Sequence, residues 1–166
     1  MQNLTSRMTY LRNAEAFCSV AAPAALCFDW NRSGGPVAWG MRSAALVLVS
    51  YIVLQGVLYW HLKLRSVEQR QPFPPYFQPL FRCFQYTNVL LIATVAVLIA
   101  AMYGTTAPVA DLAWSYGLLG FTVLEQINYY HYQLMYDTRA AFAYLRRNGR
   151  LRKAALGLDL QRQQAM

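Results

Sequence analysis

Two stretches of this chain, Ala44–Trp60 and Phe84–Tyr103, contain no charged side chain. Blocks of that length constrain the fold more than any other feature. A segment that enters hydrocarbon has no water to satisfy its peptide groups, so it must bond them internally as an α-helix. Two further runs share the character with polar interruptions. They are Met8–Trp30, apolar after Glu15, and Leu112–Tyr136, which carries Glu125. Composition agrees, since 57% of residues are hydrophobic and 13% are charged, against about 25% charged in a typical soluble domain. The sequence reads as an all-α polytopic membrane protein. It is a four-transmembrane-helix bundle with spans at about 8–30, 37–61, 83–103 and 112–136. Residues 1–137 form the transmembrane domain, and 138–166 a basic, amphipathic C-terminal tail.

The separators fit this division. Asp29–Pro36 is a turn by composition, and Gly104–Ala110 is a short loop without positive charge. Gln71–Pro79 holds four prolines, which favours an extended segment over helix. Trp39 and the Tyr59–Trp60 pair stand where interfacial aromatics belong. Pro23 predicts a kink in the first run. That run also has the outline of a signal peptide, but Arg12, Asn13 and Glu15 interrupt it and no small-residue cleavage site follows. Ala93, Ala96 and Ala100, and separately Gly117 and Gly120, offer small-residue edges for close helix approach.

The charge pattern sets the expected orientation. The formal net charge is +8, and 13 of the 15 Lys and Arg residues fall in the first 12 residues, between the second run and the third, or after the fourth. The other two, Arg32 and Arg42, lie between the first run and the fully apolar part of the second, which begins at Ala44. The positive-inside bias then places both termini in the cytoplasm, in an inner membrane of bacterial type. In the tail, Arg139, Arg146, Arg147, Arg150, Arg152 and Lys153 alternate with Phe142, Leu145 and Leu151. This predicts a helix lying on anionic lipid head groups, broken near Asn148–Gly149. No aromatic platform or recognised module accompanies the charge, so nucleic acid is not an expected partner.

Cys18, Cys27 and Cys83 have no paired spacing and read as buried, unreactive thiols. His131 falls on a different face from Glu125, and no metal site or cofactor is expected. GxxxxGK(S/T), HExxH, GxSxG and EF-hand patterns are absent. The length, four spans and basic charge are similar to those of small glutathione-dependent membrane enzymes. Those carry an Arg/His/Asn/Glu string on one helix. The nearest text here, Arg82-Cys83-Phe84-Gln85-Tyr86-Thr87-Asn88, lacks the histidine and the glutamate, so that activity is not carried over.

The functional expectation rests on depth. At 1.5 Å per residue, Glu125 lies about 9 Å inside the cytoplasmic boundary of the fourth span. Gln55, Asn88 and Glu15, with Arg12 just outside, fall at a similar depth in the other three. Each span therefore contributes to one polar layer. On the fourth span, Glu125, Asn128, Tyr129, Tyr132 and Tyr136 share one arc at 100° per residue. A carboxylate in lipid costs about 2.5–3.5 kcal/mol, so this arc should face protein. Two roles are open for the layer. It is interhelical glue, with Arg12 and Glu15 as a local ion pair, or it surrounds a ligand. The expected function is a small non-enzymatic integral membrane protein that binds a lipid, an ion or a partner subunit through the layer. It would act as a homo-oligomer or an accessory subunit. The alternatives are a membrane-embedded enzyme acting on a lipid or quinone, with Glu125 as acid/base, and a proton- or ion-conducting subunit.

Overall fold

The computed structural model describes residues 2–33, 37–103, 108–136 and 139–162. It is all-helical there, with an isolated bridge between Tyr132 and Lys153 as the only extended pairing. Four long helices are followed by two short ones: α1 (Gln2–Arg32), α2 (Trp39–Gln69), α3 (Phe77–Tyr103), α4 (Val109–Tyr130), α5 (Arg139–Asn148) and α6 (Ala155–Arg162). Among the described residues, α2 and α3 are long and apolar enough to cross a membrane. Neither α1 nor α4 meets that standard. The first carries Arg7, Arg12, Glu15, Asp29 and Arg32. The second carries polar groups along one whole face: Asp111, Ser115, Thr122 and Gln126 are all buried.

Several boundaries differ from those expected. Helix α1 runs through Pro23 and continues past Asp29 to Arg32, so Asp29 is helical rather than part of a turn. Helix α3 begins at Phe77 and takes Pro79 into its first turn. A proline is tolerated there because the first N–H groups of a helix have no intrahelical acceptor. Helix α2 extends to Gln69 and stops at Arg70, which adopts a left-handed conformation with φ of 52°. The Ser66 carbonyl accepts the N–H groups of both Arg70 and Gln71 there, and Pro72 follows. Helix α4 ends at Tyr130, before Tyr132 and Tyr136. The expected boundary at residue 137 and most of the loop before α4 lie outside the described residues.

Helix α2 is the hub, packing against α1, α3 and α4, while α3 and α6 also pack on α4. Two apolar clusters hold the bundle. Met41, Ala45, Leu48, Val95, Ile99 and Leu119 form the one near the start of α2. Ile52, Tyr59, Phe77, Phe81, Tyr129, Tyr130, Leu156 and Leu160 belong to the one near its end. The second cluster includes α6, so the last part of the tail folds back onto the bundle instead of lying free. Tyr132 and Lys153 pair, Gln133 N–H donates to the Arg152 carbonyl at 2.8 Å, and Ala154 N–H donates to the His131 carbonyl at 3.1 Å. At Gly157 an added Cβ would lie 2.5 Å from the Tyr130 carbonyl oxygen, so only glycine permits this approach. Gly149, with φ of 59°, makes the expected break after α5.

Several polar side chains are turned inward and many large apolar ones outward. Arg42, Gln55, Asn88, Asp111, Ser115, Thr122 and Gln126 are buried. Phe17, Val20, Phe28, Leu90 and Val97 are between 67% and 71% exposed. The expected glycine edge on α4 is not used, as Gly117 and Gly120 have open space beside them. Ala93 and Ala100 are exposed, and Ala96 alone of the three alanines packs inward. Cys18 and Cys83 are exposed rather than buried, because they too stand on outward faces.

Candidate functional site

The expected polar layer is two assemblies set back to back. The first is an amide network joining α2, α3 and α4. Gln55 Nε2 donates to Asn88 Oδ1 at 2.8 Å, and Asn88 Nδ2 donates in return to Gln55 Oε1 at 2.8 Å. Asn88 Nδ2 also donates to Gln126 Oε1 at 2.8 Å, and Gln126 Nε2 to the Gln85 carbonyl at 3.2 Å. The Tyr130 hydroxyl donates to Gln55 Oε1 at 3.1 Å. Gln55, Asn88 and Gln126 are each at most 5% exposed. Short bonds among side chains this buried tie the register of three helices together. Gln55 and Asn88 have their hydrogen bonds within this network and stand apart from Glu15 and Glu125. Gln126, which completes their network, stands outside the expected arc, about 100° of helix rotation from its neighbour Glu125.

The second assembly faces the other way, into a groove of about 760 Å³ between α1, α2 and α4. Glu15 comes from α1, Trp60 from α2, and Glu125, Asn128 and Tyr129 from α4. Gly56 of α2 is where the three helices meet. Its missing Cβ leaves the space taken by Glu15 Oε2 and the Tyr129 phenol. Glu15 Oε1 accepts a hydrogen bond from Trp60 Nε1 at 3.0 Å. Glu15 Oε2 is buried beside the Tyr129 hydroxyl without a hydrogen bond of ordinary geometry. Glu125 Oε2 accepts from Asn128 Nδ2 at 3.3 Å, and Asn128 Oδ1 accepts from the Leu134 N–H at 2.9 Å. Asn128 thus ties the carboxylate to the chain leaving α4. The two carboxylates are within electrostatic range of each other.

Away from this polar end the groove is apolar, walled by Ala22 and Leu26 of α1, Val49 and Val53 of α2, and Leu118 and Phe121 of α4. Its mouth carries Arg7, and Arg152 from the returning tail. Helices α1 and α4 both rest on α2 with little contact between them. A lateral opening results.

Other expected members stand elsewhere. Arg12 makes no ion pair with Glu15; its guanidinium donates to Asn13 Oδ1 at 3.0–3.1 Å. One helical turn separates Arg12 from Glu15, but Glu15 points to α2 and Trp60. Tyr132 is off the helix, exposed and paired with Lys153. Tyr136 accepts the Arg152 backbone N–H through its hydroxyl at 2.8 Å. Extrapolating the helical arc past Tyr130 is what misplaced both tyrosines. Arg146, Arg147, Arg150, Arg152 and Lys153 are exposed, and the Arg152 guanidinium lies 4.2 Å from the centre of the Tyr144 ring. The Arg139 side chain lies outside the described residues.

Two polar clusters had no counterpart in the expectation. Arg42 Nε lies 2.5 Å from Asp111 Oδ1, with side chains 6% and 0% exposed. The Arg42 guanidinium also lies 5.1 Å from the Trp30 ring, which Trp39 and Trp114 pack edge-on. Asp111 opens α4, three residues past Pro108, where a carboxylate suits the helix N-terminus. The signal available was an opposite charge on each of two runs, close to the same expected boundary. The second cluster joins Lys63 and Tyr59 of α2 to Asp159 of α6. Lys63 Nζ donates to Asp159 Oδ2 at 2.6 Å, and the Tyr59 hydroxyl donates to the same oxygen at 2.7 Å.

Comparison with protein-family models, with curated proteins and with solved structures finds no match.

Proposed function

We propose that this chain is a non-enzymatic integral membrane protein that binds a membrane amphiphile in the groove between α1, α2 and α4. The observation that carries the reading is the groove itself. It joins a long apolar wall to one polar end built from Glu15, Trp60, Glu125, Asn128 and Tyr129. A lipid entering sideways between α1 and α4 would lay its chains on the wall and its head group at that end. Large apolar side chains exposed on each of the four long helices, among them Phe17, Val47, Leu90 and Phe121, support a lipid setting for all of them. In that setting Asp111, Ser115, Thr122 and Gln126 of α4 and Glu15 of α1 face protein or groove, as polar groups in a span must. The charge asymmetry puts the termini, and with them the polar end of the groove, on the cytoplasmic side. Exposed Arg146, Arg147 and Arg150 on and just after α5 meet anionic head groups there.

The enzymatic alternative gains one specific support. Glu15 is a second ionisable group near Glu125, which the fourth span by itself lacks. Ion conduction gains no such support. Buried Arg42, Asp111 and Ser115 stand towards one end of the bundle and Gln55, Asn88 and Gln126 towards the other, and between them lie the apolar cluster around Ala45, Leu48 and Leu119 and Thr122, whose hydroxyl donates to the Leu118 carbonyl.

The test is native mass spectrometry of the full chain released from lipid nanodiscs. A retained lipid lost on Glu125→Leu, with helicity unchanged, is the expected result. A folded protein that carries no lipid at any detergent condition would sink the reading.

A further inference from the structure

The groove's chemistry narrows the ligand further, on the premise that the groove holds a lipid at all. Two carboxylates stand at its polar end, and the described residues supply no cation to pair with either. The ion pairs among them, Arg42–Asp111 and Lys63–Asp159, lie elsewhere. Glu15 Oε1 has one donor, the Trp60 indole, and Glu125 has one, the Asn128 amide at 3.3 Å. A carboxylate accepts at about four lone-pair sites, so most of the acceptor capacity at this end is unused. Glu15 Oε2 is the clearest case, buried with the Tyr129 hydroxyl as the donor beside it and no cation. A buried acceptor left unmade is costly, and a charged one more so. What the end lacks is positive charge that comes with N–H donors.

We infer that the ligand is a phospholipid with a primary ammonium head, its N–H donors shared between Glu15 and Glu125 beside the Tyr129 hydroxyl. An ammonium is compact and carries three donors, which suits two carboxylates lining one end of a groove. The rest of the lipid has a place as well. Its phosphate lies one short linker from the nitrogen, towards Arg152 at the mouth. Its acyl chains follow the wall of Leu26, Val53, Leu118 and Phe121. A choline head keeps the charge but has no N–H, and a glycerol head has hydroxyls but no positive charge. Neither complements this end as well.

The experiment uses the unaltered full chain in nanodiscs with equal parts of ethanolamine, choline and glycerol phospholipids of identical acyl chains. Bound lipid is read by native mass spectrometry. The expected result is enrichment of the ethanolamine lipid by about tenfold over the other two, the scale set by charge-assisted hydrogen bonds. Successive N-methylation of the head should reduce retention step by step. Glu15→Gln with Glu125→Gln should remove the preference, so that whatever lipid is still retained stands at bulk proportion across the three classes. Equal retention of the three by the unaltered protein would overturn the ammonium assignment while leaving lipid binding intact. Absence of any bound lipid would instead remove the proposed function. Soluble phosphoethanolamine should fail to displace the lipid. If it competes at equal concentration, the ligand is the free head group and not a lipid.

Discussion

Gln55 and Asn88 exchange a pair of amide hydrogen bonds, one in each direction and each 2.8 Å long, across the α2–α3 boundary. Asn88 adds a third bond to Gln126 of α4, so one side chain links three helices. Replacing Asn88 by Ala leaves two buried glutamines short of partners. The expected loss is about 1–3 kcal/mol, at the lower end if the unfolded chain in detergent finds other partners. Detergent unfolding followed by circular dichroism measures it. A double-mutant cycle with Gln55→Ala should show coupling, because both substitutions break the same pair. Additive losses would refute the network as described.

The ion pair of Arg42 with Asp111 is almost wholly enclosed. Arg42→Met strands a carboxylate that is 0% exposed and should destabilise by about 3–5 kcal/mol. Arg42→Met together with Asp111→Leu removes both charges and should recover most of that loss. The readout is the unfolding midpoint in the same detergent. A double variant no better than the single one would mean that the pair's geometry, not its charge balance, matters.

Gly56 and Gly157 hold close approaches, while Gly117 and Gly120 have open space. Gly117→Ala and Gly120→Ala are expected to be neutral or to stabilise by up to about 1 kcal/mol through helix propensity. Gly157→Ala presses a methyl against a backbone carbonyl that cannot rotate away, so α6 should detach from Tyr130. Gly56→Ala intrudes on Glu15 and Tyr129 and should disturb the polar end of the groove. Hydrogen exchange across α6 and lipid retention separate these two outcomes.

Asp159 receives both Lys63 and Tyr59 on one oxygen. Asp159→Ala should free α6 and raise hydrogen exchange across residues 155–162 by about tenfold, leaving α1–α4 unchanged. The bond from Lys63 to the Tyr59 hydroxyl, 2.8 Å, survives within α2 and keeps that helix end ordered. Equal exchange in the two proteins would show that Leu156 and Leu160 dock α6 without help from the ion pair.

The helices were largely legible because their signal is local. Uncharged runs mark α2 and α3, and Gly149 marks the end of α5. The boundaries moved in two ways: at Asp29 and Pro79 helix extends into residues of turn composition, and at Tyr130 it stops short, where residues 131–133 pair with the returning tail. The depth argument found Gln55, Asn88, Glu15 and Glu125, but it placed them in one ring. Glu125 and Gln126 are consecutive, so about 100° of helix rotation separates them. One faces the groove and the other the amide network.

The sequence by itself determined that this chain is helical, where its long helices fall, and which side chains are too costly to leave facing an apolar surrounding. Those are properties of single segments. Only the tertiary structure decided who satisfies whom. Trp60 rather than Arg12 serves Glu15, Arg42 finds Asp111, and the tail returns to lay Asp159 on Lys63. The physical reason is that a polar group's cost depends on its own segment, while its partner depends on the rotation and approach of three or four helices together. Gly56 and Gly157 permit two of those approaches simply by having no Cβ.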